Sequence, residues 1–394
     1  MRLAHLAHLA RRFIWAGLLA ATPALAQQPL KIGLIMPYTG QFTDASAQMD
    51  DAIKLYVKQH GDTIAGRKIE FIRRDDSGSP DVAKRMAREL TVNDNVDILA
   101  GFVITPEALA VADVSEQAKK FMVVMNAATA IITTKSPYIA RTSLTTPQVN
   151  ESLGTWAAKN GIRKAYTLVS DYGPGIDAEG AFQSGFKAAG GEIVGSVRMP
   201  VQNPDFFPFV QRAKDLNPEA MFVFIPGGAQ PAAFGKALVD LGIDSRKTKI
   251  LGQGEVTEEN ALKVMGDAAL GLITAFHYDY NHKSAANAKF VADYNQAYGR
   301  NPDFFSVGGW DGMHLIYESL KKTGGKADAE ALIDAAKGMK WESPRGPIAI
   351  DPETRDIIQT VYIRRVEKVG GKLVNVEIDK IENVKDPVKA RMKK

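Results

Sequence analysis

The chain has 394 residues, with 49 Lys+Arg against 45 Asp+Glu, six His and no Cys; 45% are hydrophobic and 24% charged. This ordinary globular composition excludes a disordered, collagen-like or multi-pass membrane chain, and the length suits about two domains. Without Cys there are no disulfides, cysteine zinc sites, thiol nucleophiles or lipidated N-terminal cysteine.

The first 26 residues read as a secretory signal. Arg2, Arg11 and Arg12 precede an apolar run from Phe13 to Ala21, and Ala24-Leu25-Ala26 offers a small-x-small site for cleavage before Gln27. The run is short for a permanent membrane anchor. Its removal takes away three of the basic residues and no acidic one. The mature chain is then close to neutral, which removes the main support for a nucleic-acid partner. Export without Cys points to the periplasm.

Beyond the signal, β-branched runs alternate with helical patterns. Leu30–Met36, Lys68–Ile72, Val96–Ala100 and Phe121–Met125 read as buried parallel strands. Between them, Val82, Met86 and Leu90 recur at i+4 in a helix from Asp81 to Asn93. After about residue 145 the pattern restarts with strands at Lys164–Ser170, Ala220–Ile225 and Lys249–Gly252, again separated by helices. Two βαβαβ series imply two doubly wound parallel sheets, because each crossover returns right-handed over its sheet. A third section holds a strand at Gly271–Phe276, helices near 284–299, 305–322 and 328–339, and extended segments around 348–350, 361–364 and 373–376. Gly370-Gly371 is a natural turn between the last two.

Several segments together resemble the leucine/isoleucine/valine-binding type of substrate-binding protein, which serves ATP-driven importers. They are Ile32-Gly-Leu-Ile-Met-Pro37-Tyr-Thr39-Gly40, Asp75-Asp76-Ser-Gly, Gly101-Phe-Val-Ile-Thr105, Asn126-Ala-Ala-Thr129, Tyr138-Ile-Ala-Arg141-Thr142 and Gly252-Gln-Gly-Glu255. The set occurs in the family's order over nearly the whole mature chain. The resemblance implies an α/β, type I periplasmic binding protein fold, with two lobes joined by three crossovers and a ligand trapped between them. The expected division is residues 27–145 and 274–345 in one lobe, and 146–273 and 346–394 in the other.

In open parallel sheets, ligands meet the carboxyl ends of strands, where loops and helix N-termini expose N–H groups. The loop at Thr105-Pro106-Glu107 is placed for this, as is Ala127-Ala128-Thr129, whose small side chains let a ligand approach the backbone. The resemblance implies that Thr105, Ala128 and Thr129 hold a ligand carboxylate; the two threonines are alternatively plain helix caps. It also implies that Tyr172 is an aromatic lid, although many relatives have two more residues between the Asp and the aromatic. Glu255 resembles the acidic residue that amino-acid binders set against an ammonium, with a solvated loop carboxylate as the alternative. Phe42, Phe102 and Phe276 are candidate apolar walls, equally readable as core. Gly227-Gly228 reads as a tight turn with a close backbone contact to ligand.

Catalytic motifs are missing: there is no Gly-x-Ser-x-Gly elbow, no phosphate loop and no His-Glu-x-x-His helix. His277, Asp279 and His282 read as a capped strand end rather than a metal set, and Asp75-Asp76 as a turn rather than an acid–base pair. No cofactor or metal is expected. Three classes of function remain: an importer's binding protein, a ligand-sensing module of the same fold, and a secreted α/β enzyme. The first is expected, as a monomer whose partners are a small carboxylate and a membrane permease. The N–H-rich loops favour a carboxylate. An ammonium beside Glu255 would make it a hydrophobic amino acid, whereas the short Asp171-Tyr172 loop and Phe42 and Phe102 favour an aromatic acid. The basic C-terminal stretch, 388–394, reads as a solvated tail.

Overall fold

Where β-branched runs end in glycine or a polar turn, the backbone forms strands that pair into two sheets. The computed structural model describes residues 28–227, 230–245 and 247–392; the expected signal peptide, residues 1–26, lies outside them. In the first half run β1 (Leu30–Met36), α1 (Thr43–His60), β2 (Thr63–Ile64), β3 (Arg67–Asp75), α2 (Pro80–Val92), β4 (Ile98–Gly101), α3 (Thr105–Gln117), β5 (Phe121–Val124) and β6 (Ile139–Arg141). These strands take the order β2-β3-β1-β4-β5-β6. All pairs are parallel except β2 with β3. Since β1 lies between β3 and β4, the crossovers on either side of it leave in opposite directions. That reversal opens a crevice at the strands' carboxyl ends.

The second series comprises α4 (Thr146–Lys159), β7 (Lys164–Ser170), α5 (Gly173–Ala188), β8 (Glu192–Met199), α6 (Phe207–Asp215), β9 (Ala220–Phe224), α7 (Gln230–Asp240), β10 (Lys249–Gln253), α8 (Glu259–Met265) and β11 (Ile273–Phe276). Three helices follow: α9 (Ala285–Tyr298), α10 (Phe304–Lys322) and α11 (Ala329–Ala336). The chain ends with β12 (Lys340–Ser343), β13 (Gly346–Ile350), β14 (Ile357–Val369), β15 (Lys372–Val384) and α12 (Pro387–Met392). The second sheet runs β8-β7-β9-β10-β11 in parallel, then adds β14 antiparallel, with β15 and β13 pairing on β14. Both lobes are therefore α/β with mostly parallel, mixed sheets. Gly370 and Gly371 both take positive φ at the β14–β15 turn, a conformation that glycine adopts without steric cost.

Apolar stripes bury both faces of each sheet. In the first lobe, α1, α10 and α11 cover one face and α2 and α3 the other. In the second, α4 and α5 cover one face and α6, α7 and α8 the other.

Two expected lobe boundaries move. An expected break at 273/274 would cut β11, yet Ile273–Phe276 pairs whole with β10 and β14, so the chain leaves the second sheet after Phe276. A break at 345/346 would send β13 to the second lobe. Ile348 and Ile350 instead pack in the first lobe's core, although Ala349 pairs with Ile358. The last crossing thus falls near Asp356, at the start of β14.

Buried cations tie these crossings together. The Arg141 guanidinium meets Asp356 at 2.6 Å with both side chains essentially inaccessible. Arg345 pairs with Asp311 at 2.9 Å and donates to the carbonyls of Thr142 and Ser143. The C-terminal stretch is not simply a solvated tail: Lys389, 4% exposed, reaches Asp356 and the Thr133 hydroxyl. A cation is drawn inside because Asp356 already sits there.

Candidate functional site

The crevice holds a cavity of about 380 Å³. The first lobe contributes Gln41 and Phe42 after β1, Gly78 and Pro80 after β3, Val103 to Pro106 after β4, and Asn126 to Ala128 after β5. Facing them from the second lobe are Tyr172, Gln202, Phe224, Gly227, Gln253 and Glu255, each at or just beyond the end of a parallel strand. Phe304 and Phe305, at the start of α10, close one side.

At the first-lobe end, hydrogen bonds hold the β5 loop from behind. Arg141 donates to the carbonyls of Ala127 and Thr129 at 3.1 and 2.9 Å, and Thr146 N–H donates to the Ala128 carbonyl at 2.9 Å. The Ala127 N–H is spent on Phe102 O, and that of Thr129 leans on Thr105 Oγ1 at 3.4 Å. The N–H of half-buried Ala128 has no partner among the described residues. Thr105, whose hydroxyl contacts Thr129 Oγ1 at 3.0 Å, lines the same cavity as Ala128. Below this loop lie Asp76 and Glu107, both fully buried. Glu107 accepts from Ile104 N–H at 3.2 Å and Asp76 from Gly78 N–H at 3.0 Å. Burial and their mutual repulsion push Glu107 up to about 9, and burial pushes Asp76 up to about 6.

At the second-lobe end, Glu255 is 9% exposed. Its Oε1 accepts from Gln253 Nε2 at 2.9 Å, while its buried Oε2 has no partner among the described residues. Burial raises its pKa to about 7, against the opposing influence of Gln253 and Arg364. The walls between the two ends are largely aromatic. Tyr172 lies 6.3 Å from Phe224, centroid to centroid, and burial pushes its phenol up, with Glu255 adding to the effect. A Cβ at Gly227 would lie 3.1 Å from Glu258 Oε1, so this glycine lets the second lobe's backbone come close to that carboxyl.

Of the sequence candidates, Phe42, Thr105, Ala127, Ala128, Tyr172, Gly227 and Glu255 come together around this cavity. Three do not line it. Phe102 has a positive φ of 66° and a fully buried ring in the cluster between the first sheet and α2 and α3. Thr129 stands behind Thr105 as its hydrogen-bond partner. Phe276 packs edge-on against Phe304, 5.0 Å between centroids, under the Arg364 guanidinium. It lines a separate polar cavity of about 400 Å³.

The lining also includes Asn126 and Gln253, which lie inside segments that the sequence singled out, and Phe305 and Gln202, which no local signal marked. Asp75 accepts turn N–H groups from Tyr38 and Ser77, each at 2.9 Å, the role expected of a turn. His277, Asp279 and His282 separate: Asp279 pairs with Arg364 at 3.0 Å and His282 with Glu377 at 2.9 Å. Among the described residues, no group of three acidic or histidine side chains is placed to hold a metal ion.

Comparison with known proteins adds to this geometry. The periplasmic binding protein family model matches residues 29–372. A solute-binding protein of an ABC transporter from Rhodopseudomonas palustris BisB5, solved with 3,4-dihydroxybenzoic acid, is 56% identical. It superposes with a TM-score of 0.88 over 92% of this chain and 99% of its own. Another, from Rhodopseudomonas palustris HaA2 with p-hydroxybenzoic acid, is 42% identical, with a TM-score of 0.89 over 92% of this chain and all of its own. The Leu/Ile/Val-binding protein homolog 6 of Brucella melitensis biotype 1 is 44% identical, covering 94% of this chain and 95% of its own.

Proposed function

Because this chain belongs to the periplasmic binding protein family, we propose that it captures an aromatic carboxylate in the cleft between its lobes and hands it unchanged to the permease of an ABC importer. The observation that carries this reading is the cavity itself. It has a hydroxyl and a free N–H at one end, aromatic walls, and a single carboxyl at the other. The Thr105 hydroxyl and Ala128 N–H suit a carboxylate, and Phe42, Tyr172, Phe224 and Phe305 suit a flat ring. Two close structural relatives, each bound to a hydroxylated benzoic acid, support the ring.

A hydrophobic amino acid is the second reading. Glu255 favours it, since an unpaired buried oxygen accepts an ammonium proton, and so does the name of the Brucella relative. We read the chain as exported and cut after Ala26, then acting as a monomer in the periplasm. No helix among the described residues is long and apolar enough to cross a membrane.

A ligand that binds only the folded state raises apparent stability by mass action. A thermal-shift screen should therefore separate the readings, using benzoate-type acids, leucine, isoleucine and valine, and neutral sugars. Stabilisation by benzoate-type acids is expected. Stabilisation by branched amino acids alone would replace the aromatic reading, and stabilisation by sugars alone would overturn the carboxylate.

A further inference from the structure

The second-lobe end of the cavity is more specific than a generic polar patch. Asn150 Nδ2 donates to Thr146 O at 2.9 Å and to Gln253 Oε1 at 2.6 Å, so both of its amide protons are used. That fixes the Gln253 amide with its Nε2 turned to Glu255 Oε1, at 2.9 Å. Asn150 is inaccessible, Gln253 is 2% exposed and Glu255 9% exposed. The relay is therefore built into the core of the second lobe. Two of its oxygens are buried without a partner among the described residues, Asn150 Oδ1 and Glu255 Oε2, and of these only Glu255 Oε2 is on a residue that lines the cavity.

We propose that Glu255, positioned by Gln253 and Asn150, reads a ring hydroxyl, so that the cargo is a hydroxylated aromatic acid whose hydroxyl hydrogen-bonds Glu255 Oε2. This rests on the aromatic-carboxylate reading above. A buried polar oxygen left unpaired is costly, so the ligand supplies a hydrogen-bond partner at that end. The ligand carboxylate is not the matching partner: it has no proton to give and repels the ionised form of Glu255. It turns instead to the Thr105 hydroxyl and Ala128 N–H on the opposite lobe.

The partner for Glu255 then lies across the cleft from the carboxylate. A ring hydroxyl has this placement, whereas the α-ammonium of an amino acid sits one carbon from its carboxylate. The charged and titratable groups around Glu255 are Tyr172, Arg364 and Glu258. Burial raises the Glu255 pKa to about 7, and a hydroxyl, which both donates and accepts, pairs with either form of its carboxyl.

The test is calorimetry on the full mature chain with benzoate, 4-fluorobenzoate, 3- and 4-hydroxybenzoate, and leucine. A hydrogen bond to a charged group leads us to expect one hydroxybenzoate to bind at least about 10-fold tighter than both benzoate and 4-fluorobenzoate. In Glu255→Leu and in Gln253→Leu that ratio should fall toward one, with residual benzoate binding reporting that each variant is folded. The wild-type ligand series decides by itself if a variant fails to fold. Equal affinities across the hydroxylated and fluorinated acids would overturn the inference and leave the aromatic reading intact. Tight leucine binding with no aromatic acid bound would overturn both.

Discussion

Asp76 and Glu107 are inaccessible, and each keeps one oxygen without a partner among the described residues, which a proton shared between the two carboxyls satisfies. Holding that proton up to about pH 9 on Glu107, when a free carboxyl releases it near 4.5, makes the pair a pH-dependent contributor to stability. The folded state binds more protons than the unfolded state across that window. Its contribution is therefore complete at acid pH and lost as pH rises toward 9. Glu107→Gln supplies a permanent N–H donor in the same shape. It should flatten the fall in melting stability between pH 5 and 9, by at most about 1.4 kcal/mol per pH unit. Melting curves at four pH values check this, and an unchanged slope would show that the pair holds no proton. The Asp75-Asp76 turn was legible in the sequence, but Glu107 as its partner was not. Glu107 lies 31 positions after Asp76 in the chain, and the crossover from β3 to β4 past β1 brings them together.

At the scale of elements, the site depends on how closely α10 approaches the first sheet. A Cβ on Gly308 would come within 2.1 Å of the Met125 carbonyl, so no side chain fits there without moving helix or strand. Phe304 and Phe305 head the same helix and line the cavity. Gly308→Ala should cost about 1–3 kcal/mol by overpacking and also weaken ligand binding, because it displaces those rings. Urea midpoints and calorimetry would show both effects, and a variant as stable as the wild type would refute the close approach. The crossings form a second such element. Asp356 neutralises two buried cations, Arg141 and Lys389, so Asp356→Ala leaves both unpaired and should cost about 3–5 kcal/mol in urea denaturation. A loss below about 1 kcal/mol, the range of exposed ion pairs, would mean that water reaches this cluster.

For the whole molecule, the cavity is walled by both lobes, and three short crossings are the connections between them. Ligand should then shift an open–closed equilibrium by its differential affinity for the closed form. Small-angle scattering with and without the acid selected by the thermal-shift screen should show a smaller radius of gyration in its presence. An unchanged radius would count against hinge closure. N-terminal sequencing of exported protein should begin at Gln27, and an intact Met1 would reject the cleavage site.

The two βαβ series were legible in the sequence because strand runs and helical periods are local patterns, and right-handed crossovers leave few ways to assemble them. So were the ligand-side loops, since parallel topology puts the ends of β4, β5, β7, β9 and β10 at one crevice whatever the loops contain. Tertiary structure decided which side chains look into it. The left-handed backbone at Phe102 buries a ring expected in the wall, and Phe305 enters from a helix two hundred residues away in the chain. It also gave β11 to the second sheet and β13's side chains to the first core, because strand partners and core neighbours compete for the same segment. Glu255 gained its place in the same way. From the sequence it is either a ligand contact or a solvated loop carboxylate, and Gln253 and Asn150 packed behind it bury it at the cavity with one oxygen unpartnered among the described residues.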